Sequence, residues 1–123
     1  MKYRSSVLVA VCLSVAVLVP SLARSGGFMD GNKLHSMCQR EKASFMEGVC
    51  IGAITSVADA LTELRIQGQY LSGYRACIPS QIQASQVIDV AKKYLERNPS
   101  ERHFTAFSLV TIALSEAWPC PKK

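Results

Sequence analysis

The sequence predicts an all-α protein: a small four-helix domain, two helical hairpins stapled by two disulfides, placed after a cleaved signal peptide. Three observations carry this reading. Apolar residues recur at helical spacing over long stretches, and no stretch of useful length alternates with the two-residue period of a strand. Four cysteines remain once the N-terminal segment is set aside, an even number that favours pairing in a small exported domain. The N-terminus itself has the basic, apolar and small-residue zones of an export signal.

Taken in order, Lys2 and Arg4 precede an apolar run from Val7 to Val19 that Pro20 ends. Ser21-Leu22-Ala23 puts small residues at the −3 and −1 positions, so cleavage is expected after Ala23. The run is short for a membrane span, which needs about 20 residues. Cys12 lies in the middle of it behind the bulky Val11, which argues against lipid attachment. Residues 24–123 then form one small domain, expected in the periplasm and free of the membrane. Lys2 and Arg4 leave with the signal, so the formal net charge of +5 falls to +3. The remaining bases are scattered and not interleaved with aromatic residues, so nucleic acid is not an expected partner.

Helices are expected near 32–39, 44–66, 82–97 and 101–118. Asp30 or Asn32 can cap the first, which buries Leu34, Met37 and Cys38 and exposes His35. Ser44 caps the second, and Glu47 three residues on completes a capping box. Phe45, Val49, Cys50, Ala53, Ile54, Val57, Leu61 and Leu64 supply its apolar face. Gly48, Gly52, Ser56 and Ala60 repeat every four residues along it, a stripe that lets another helix approach closely, with packing inside the domain expected ahead of a dimer seam. Gln67 to Arg75 is a loop with two glycines, Gly68 and Gly73, and two tyrosines, Tyr70 and Tyr74. In the third helix Val87, Val90, Ala91, Tyr94 and Leu95 share one face, with Asp89, Lys92, Lys93 and Glu96 on the wet side. Asn98-Pro99 stops it, because proline disfavours α geometry in the residue before it. Ser100 reads as the next N-cap, with Glu101 and His103 in the first turn and Phe107, Val110, Ala113, Leu114 and Ala117 inward. Pro119 and Pro121 end the last helix.

Cys38, Cys50, Cys77 and Cys120 allow three pairings. Each helical hairpin brings two of them together, which selects Cys38–Cys50 and Cys77–Cys120. The rival use of four cysteines is zinc. The chain has no CxxC, and His35 and His103 fall outside any ligand spacing, so no metal or other cofactor is expected.

The order C-I-P from Cys77, S-Q-V-I-D-V from Ser85, K-Y-L, N-P-S-E-R-H from Asn98, A-x-S-L-V, A-L-S-E-A and W-P-C at Trp118 resembles the Tai-type immunity proteins. Asp30-Gly31-Asn32-x-Leu34-x-x-x-Cys38 and Cys50-x-Gly52-x-Ile54, followed by Asp59-Ala60-Leu61, extend the resemblance over nearly all of the exported chain. Those are small helical periplasmic proteins that neutralise peptidoglycan amidase effectors of the type VI secretion system. The resemblance implies a cognate amidase effector as partner and a homodimer as the resting assembly.

An enzyme is not expected. The chain lacks GxSxG, HExxH, P-loop and dinucleotide fingerprints. Paired cysteines are not nucleophiles, and acids such as Glu47 and Asp59 read as a solvated helix face. The other non-enzymatic class is an acid-stress holdase of the HdeA sort, which needs an interface that opens on acidification. For an inhibitor, the best candidate surface is the stiff polar turn around Pro99, with Glu96, Arg97, Asn98, Ser100 and Glu101. The neighbouring wet face at Asp89, Lys92 and Lys93 is the alternative, and the Gln67–Arg75 loop comes after it.

Overall fold

A computed structural model describes residues 27–122. The expected signal peptide, residues 1–23, and Cys12 within it lie outside the described residues. Four α-helices follow in order: α1 Gly31–Cys38, α2 Phe45–Ile66, α3 Ala84–Arg97 and α4 Ala106–Ala117, with a 3-10 turn at Pro99–Glu101. Among the described residues there is no strand, only two isolated bridges, Asp30 with Thr105 and Leu71 with Tyr74. Helix α1 pairs with α2 and α3 with α4, and α2 also lies against α3 and α4. The all-α architecture of two hairpins is therefore as the periodicity predicts.

Both disulfides form in the expected pairing, Cys38–Cys50 with Cα atoms 5.1 Å apart and Cys77–Cys120 at 5.0 Å. The second is reinforced by the Cys77 amide, which donates to the Trp118 carbonyl at 2.8 Å. Between the hairpins lies one core: Leu34 from α1, Ile54 and Leu61 from α2, Leu95 from α3, Leu109, Val110 and Leu114 from α4. Ala91, Ala106 and Ala113 are buried too, and their small side chains let α3 and α4 pack closely. Thr111 is the one buried polar residue among the described residues, and its hydroxyl donates to the Phe107 carbonyl at 2.8 Å.

The caps explain the boundaries. Asp30 accepts from the Lys33 amide at 2.8 Å and starts α1. Ser44 accepts from the Glu47 amide at 3.1 Å and starts α2. The Glu47 carboxylate returns to the Ala43 amide, one residue before the position of a standard capping box. Between α2 and α3, Ser72 and Gly73 both take positive φ, 50° and 82°. They turn the chain back on itself, so that Leu71 and Tyr74 exchange backbone hydrogen bonds at 2.8 and 2.9 Å.

Five expectations need correction here. Helix α4 starts at Ala106, not near 101: Pro99–Glu101 stays a 3-10 turn, and Thr105, not Ser100, accepts from an amide of the first turn, that of Ser108. His103 accordingly lies before α4, where its Nδ1–H donates to the Ser100 carbonyl at 2.9 Å. Phe107 and Ala117 are exposed: they are the second and the last residue of the helix, and the face packed inward runs through Ala106, Leu109, Val110, Ala113 and Leu114. Phe45 is exposed, because the Cys38–Cys50 bond sets the end of α1 beside the second turn of α2 and leaves the first turn beyond it. His35, expected on an exposed face, is half-buried.

Candidate functional site

The turn from Glu96 to His103 is built by side chains that finish α3. The last carbonyls of a helix have no partner within it. Here the Asn98 amide donates to Tyr94 O at 2.8 Å, and the Arg102 guanidinium donates to Leu95 O at 2.6 Å and Glu96 O at 3.4 Å. A cation at this end also suits the helix dipole. Tyr94 Oη donates to Glu101 Oε2 at 2.7 Å, tying the far side of the turn back to α3. Burial, then that carboxylate and then Glu116 push the Tyr94 phenol well above its usual pKa. It therefore remains a donor at any working pH.

The N-terminal segment braces the turn from the other side. Met29 O accepts from the Ala106 amide, Gly31 N donates to Phe104 O, and Asn32 N donates to Arg102 O, each at 2.9 Å. The close approach depends on Gly31. A Cβ there would lie 2.9 Å from both Arg102 Cα and Arg102 O and would strike Leu109. Asp30-Gly31-Asn32 and Asn98 to His103, far apart in sequence, are thus two halves of one joint.

This sorts the candidate residues. Asn98 and Glu101 are held inside the turn, while Glu96, Arg97 and Ser100 are exposed. Asp89 and Lys93 are exposed on the same helix, and Lys92 is half-buried. Lys93, Arg97 and Asn98 come together with Tyr94 and Glu116 around a groove of about 340 Å³ between α3 and α4. Tyr94 and Glu116 are shared with a second groove of about 450 Å³, which also takes in Glu101 and Phe104. Lys93 of the α3 set and Arg97, Asn98 and Glu101 of the turn set are therefore parts of one surface, whereas Asp89, Lys92, Glu96 and Ser100 line neither groove. Three of its members escaped the sequence reading. The spacing of α3 puts Tyr94 on its apolar face, Phe104 falls outside the apolar period of α4, and no spacing in the sequence marks Glu116. The Gln67–Arg75 loop carries exposed Tyr70 and Tyr74, and the Arg75 guanidinium lies 5.0 Å from the Tyr70 ring centroid.

A different surface lies on α2. The small-residue stripe does not pack inside the domain as expected: Gly48, Gly52 and Ser56 are exposed and Ala60 half-buried, because no other helix among the described residues covers that side of α2, and Phe45, Ile51 and Ile66 are exposed on the same helix. A Cβ added at Gly48 or Gly52 would meet no atom within 4 Å. Ala53, Ser56 and Val57 continue into an apolar groove of about 340 Å³ that Phe28 and Phe107 flank. No group of His, Cys, Asp and Glu side chains among the described residues is placed to hold a metal ion.

Neither a curated protein nor a solved structure matches the chain. The family of the Rap1a immunity proteins matches residues 30–120, from the cap of α1 to the last cysteine. That span contains both disulfides, the joint between Asp30-Gly31-Asn32 and the α3–α4 turn, and both grooves beside Tyr94. The chain belongs to the Rap1a immunity protein family.

Proposed function

We propose that the protein is a periplasmic immunity protein that binds a peptidoglycan amidase effector of the type VI secretion system and blocks its active-site cleft. Membership of an immunity family makes it a binding protein with a toxic partner. The amidase, the compartment and the cleft are this article's reading. The observation that carries it is the turn around Pro99. Its exposed Glu96, Arg97 and Ser100 sit on a backbone already fixed by Asn98, Arg102 and the N-terminal segment. A cleft-filling element that is ordered before binding costs little entropy to seat. Residues 1–23 direct export in this reading, and residues 24–123 are the inhibitory domain.

The test is co-expression with a type VI peptidoglycan amidase effector, in cells that export the toxin. Protection is expected, and the combined replacement Arg97→Ala, Ser100→Ala, Glu101→Ala is expected to abolish it with the helical circular dichroism intact. Full protection by the triple variant would move the interface to the Gln67–Arg75 loop. Lysis despite soluble wild-type protein would exclude that amidase as the partner.

A further inference from the structure

The groove between Tyr94 and Phe104 has a composition of its own. It is lined by the rings of those two residues, by Leu109 and Ile112, and by the carboxylates of Glu101 and Glu116. No basic side chain lines it. Phe104 is 51 % exposed, so an aromatic surface stands open to water beside two acids. Tyr94 occupies only one oxygen of Glu101, which leaves the other and the whole Glu116 carboxylate free to accept.

We propose that this groove receives an arginine side chain of the partner protein, its guanidinium between Glu101 and Glu116 and against the Phe104 ring. The proposal rests on the reading that this face meets the effector, and it names the chemistry that the effector presents there. The choice of occupant follows from charge and shape. An apolar anchor would bury two carboxylates without partners, which is costly. A calcium ion takes six or more oxygens, and a groove lined largely by carbon does not offer them. Lysine would satisfy the charge but, as a compact point, would leave the ring surface uncovered. The flat guanidinium stacks on an aromatic face and spreads five donors over two carboxylates, and its methylenes lie along Leu109 and Ile112.

The experiment has two arms. In the first, purified protein is titrated with N-acetyl-arginine amide and followed by amide NMR shifts. N-acetyl-lysine amide and N-acetyl-norleucine amide serve as controls. Saturable shifts at Phe104, Ser108, Ile112 and Glu116 are expected for arginine and are expected to weaken at least about fivefold for lysine. They should vanish in Glu116→Gln, Phe104→Leu. Equal shifts from arginine and norleucine, or none at these residues, overturn the proposal whether or not an amidase partner exists. In the second arm, Glu116→Lys is expected to weaken binding of the amidase by about tenfold or more, through a faster off-rate. Unchanged affinity for Glu116→Lys in a complex that does form sinks the proposal and leaves the immunity reading standing.

Discussion

Helices α2 and α4 are both apolar, yet they use that property differently. Helix α4 buries six of its 12 residues, whereas α2 buries five of its 22. Only 28 % of the most apolar 18-residue window of α2 is buried within the chain. The difference separates two regions. Around α3 and α4 the structure is closed: a long disulfide loop, alanine-lined packing and a turn whose helix-end carbonyls are satisfied by Asn98 and Arg102. Along α2 it is open: glycines with nothing above them and exposed Phe45, Ile51 and Ile66. A rigid closed region suits recognition of a partner. An open apolar face on an α-helix suits assembly with another copy.

The largest expected effect lies in the disulfides. Cys77–Cys120 spans 43 residues and Cys38–Cys50 spans 12. In the chain-entropy account, closing them stabilises the fold by about 4 and about 3 kcal/mol respectively. Replacing Cys77 and Cys120 by Ser is therefore expected to lower the urea midpoint more than replacing Cys38 and Cys50. The reverse order would mean that α1–α2, not α3–α4, is the more constrained half.

Two glycines sharpen the contrast. Gly31→Ala is expected to cost about 2–3 kcal/mol, because the new methyl meets backbone at Arg102 and cannot be accommodated by a side-chain shift. Gly52→Ala should stabilise the monomer fold by up to about 1 kcal/mol, because the methyl enters open space in mid-helix. Chemical denaturation of the two variants decides both. A tolerated Gly31→Ala would show that the N-terminal segment does not brace the turn.

The proposed homodimer is tested on the same stripe. With α2 as the seam, Gly52→Arg should shift the light-scattering mass at tens of micromolar from dimer to monomer and leave the circular dichroism spectrum unchanged. A wild-type protein that is monomeric at that concentration removes the homodimer altogether.

What could be read from the sequence divides along similar lines. The helices, the starts of three of the four, and both disulfides follow from local rules of spacing, capping and loop closure. Ser44, Asp30 and Asn98-Pro99 act within a few residues of themselves, so their roles are visible in the chain. The start of α4 was not legible because Ser100-Glu101 has the local signature of a helix start. What overrides it is distant: Gly31 and Asn32 hydrogen-bond to Phe104 and Arg102 and hold the turn in its 3-10 form. The recognition surface was half legible for the same reason. Its exposed charges announce themselves, but the groove beside Tyr94 exists only once α4 lies against α3.

The smallest effect concerns His35, where α1 meets the same joint. Burial, and after it the Arg102 guanidinium, hold its pKa below the usual 6.5, partly opposed by Glu96. The Gln39 amide lies 3.1 Å from His35 Nε2, and as a donor it requires that nitrogen unprotonated. The unfolded chain therefore binds a proton at this site more readily than the folded one. Stability then rises with pH through this window, and it is lost as pH falls from above 6.5 to below the lowered folded value. Carboxylates contribute little between pH 7.5 and 5.5, so the comparison of wild type with His35→Gln isolates the imidazole. His35 is only half-buried, so the expected difference is small, about a degree in the Tm change between those two pH values. The wild type should lose more on acidification than the variant. Equal losses would show that neither burial nor Arg102 depresses His35 in solution, and that the Met29–Asn32 contact with the turn and α4 is looser than its three 2.9 Å hydrogen bonds imply.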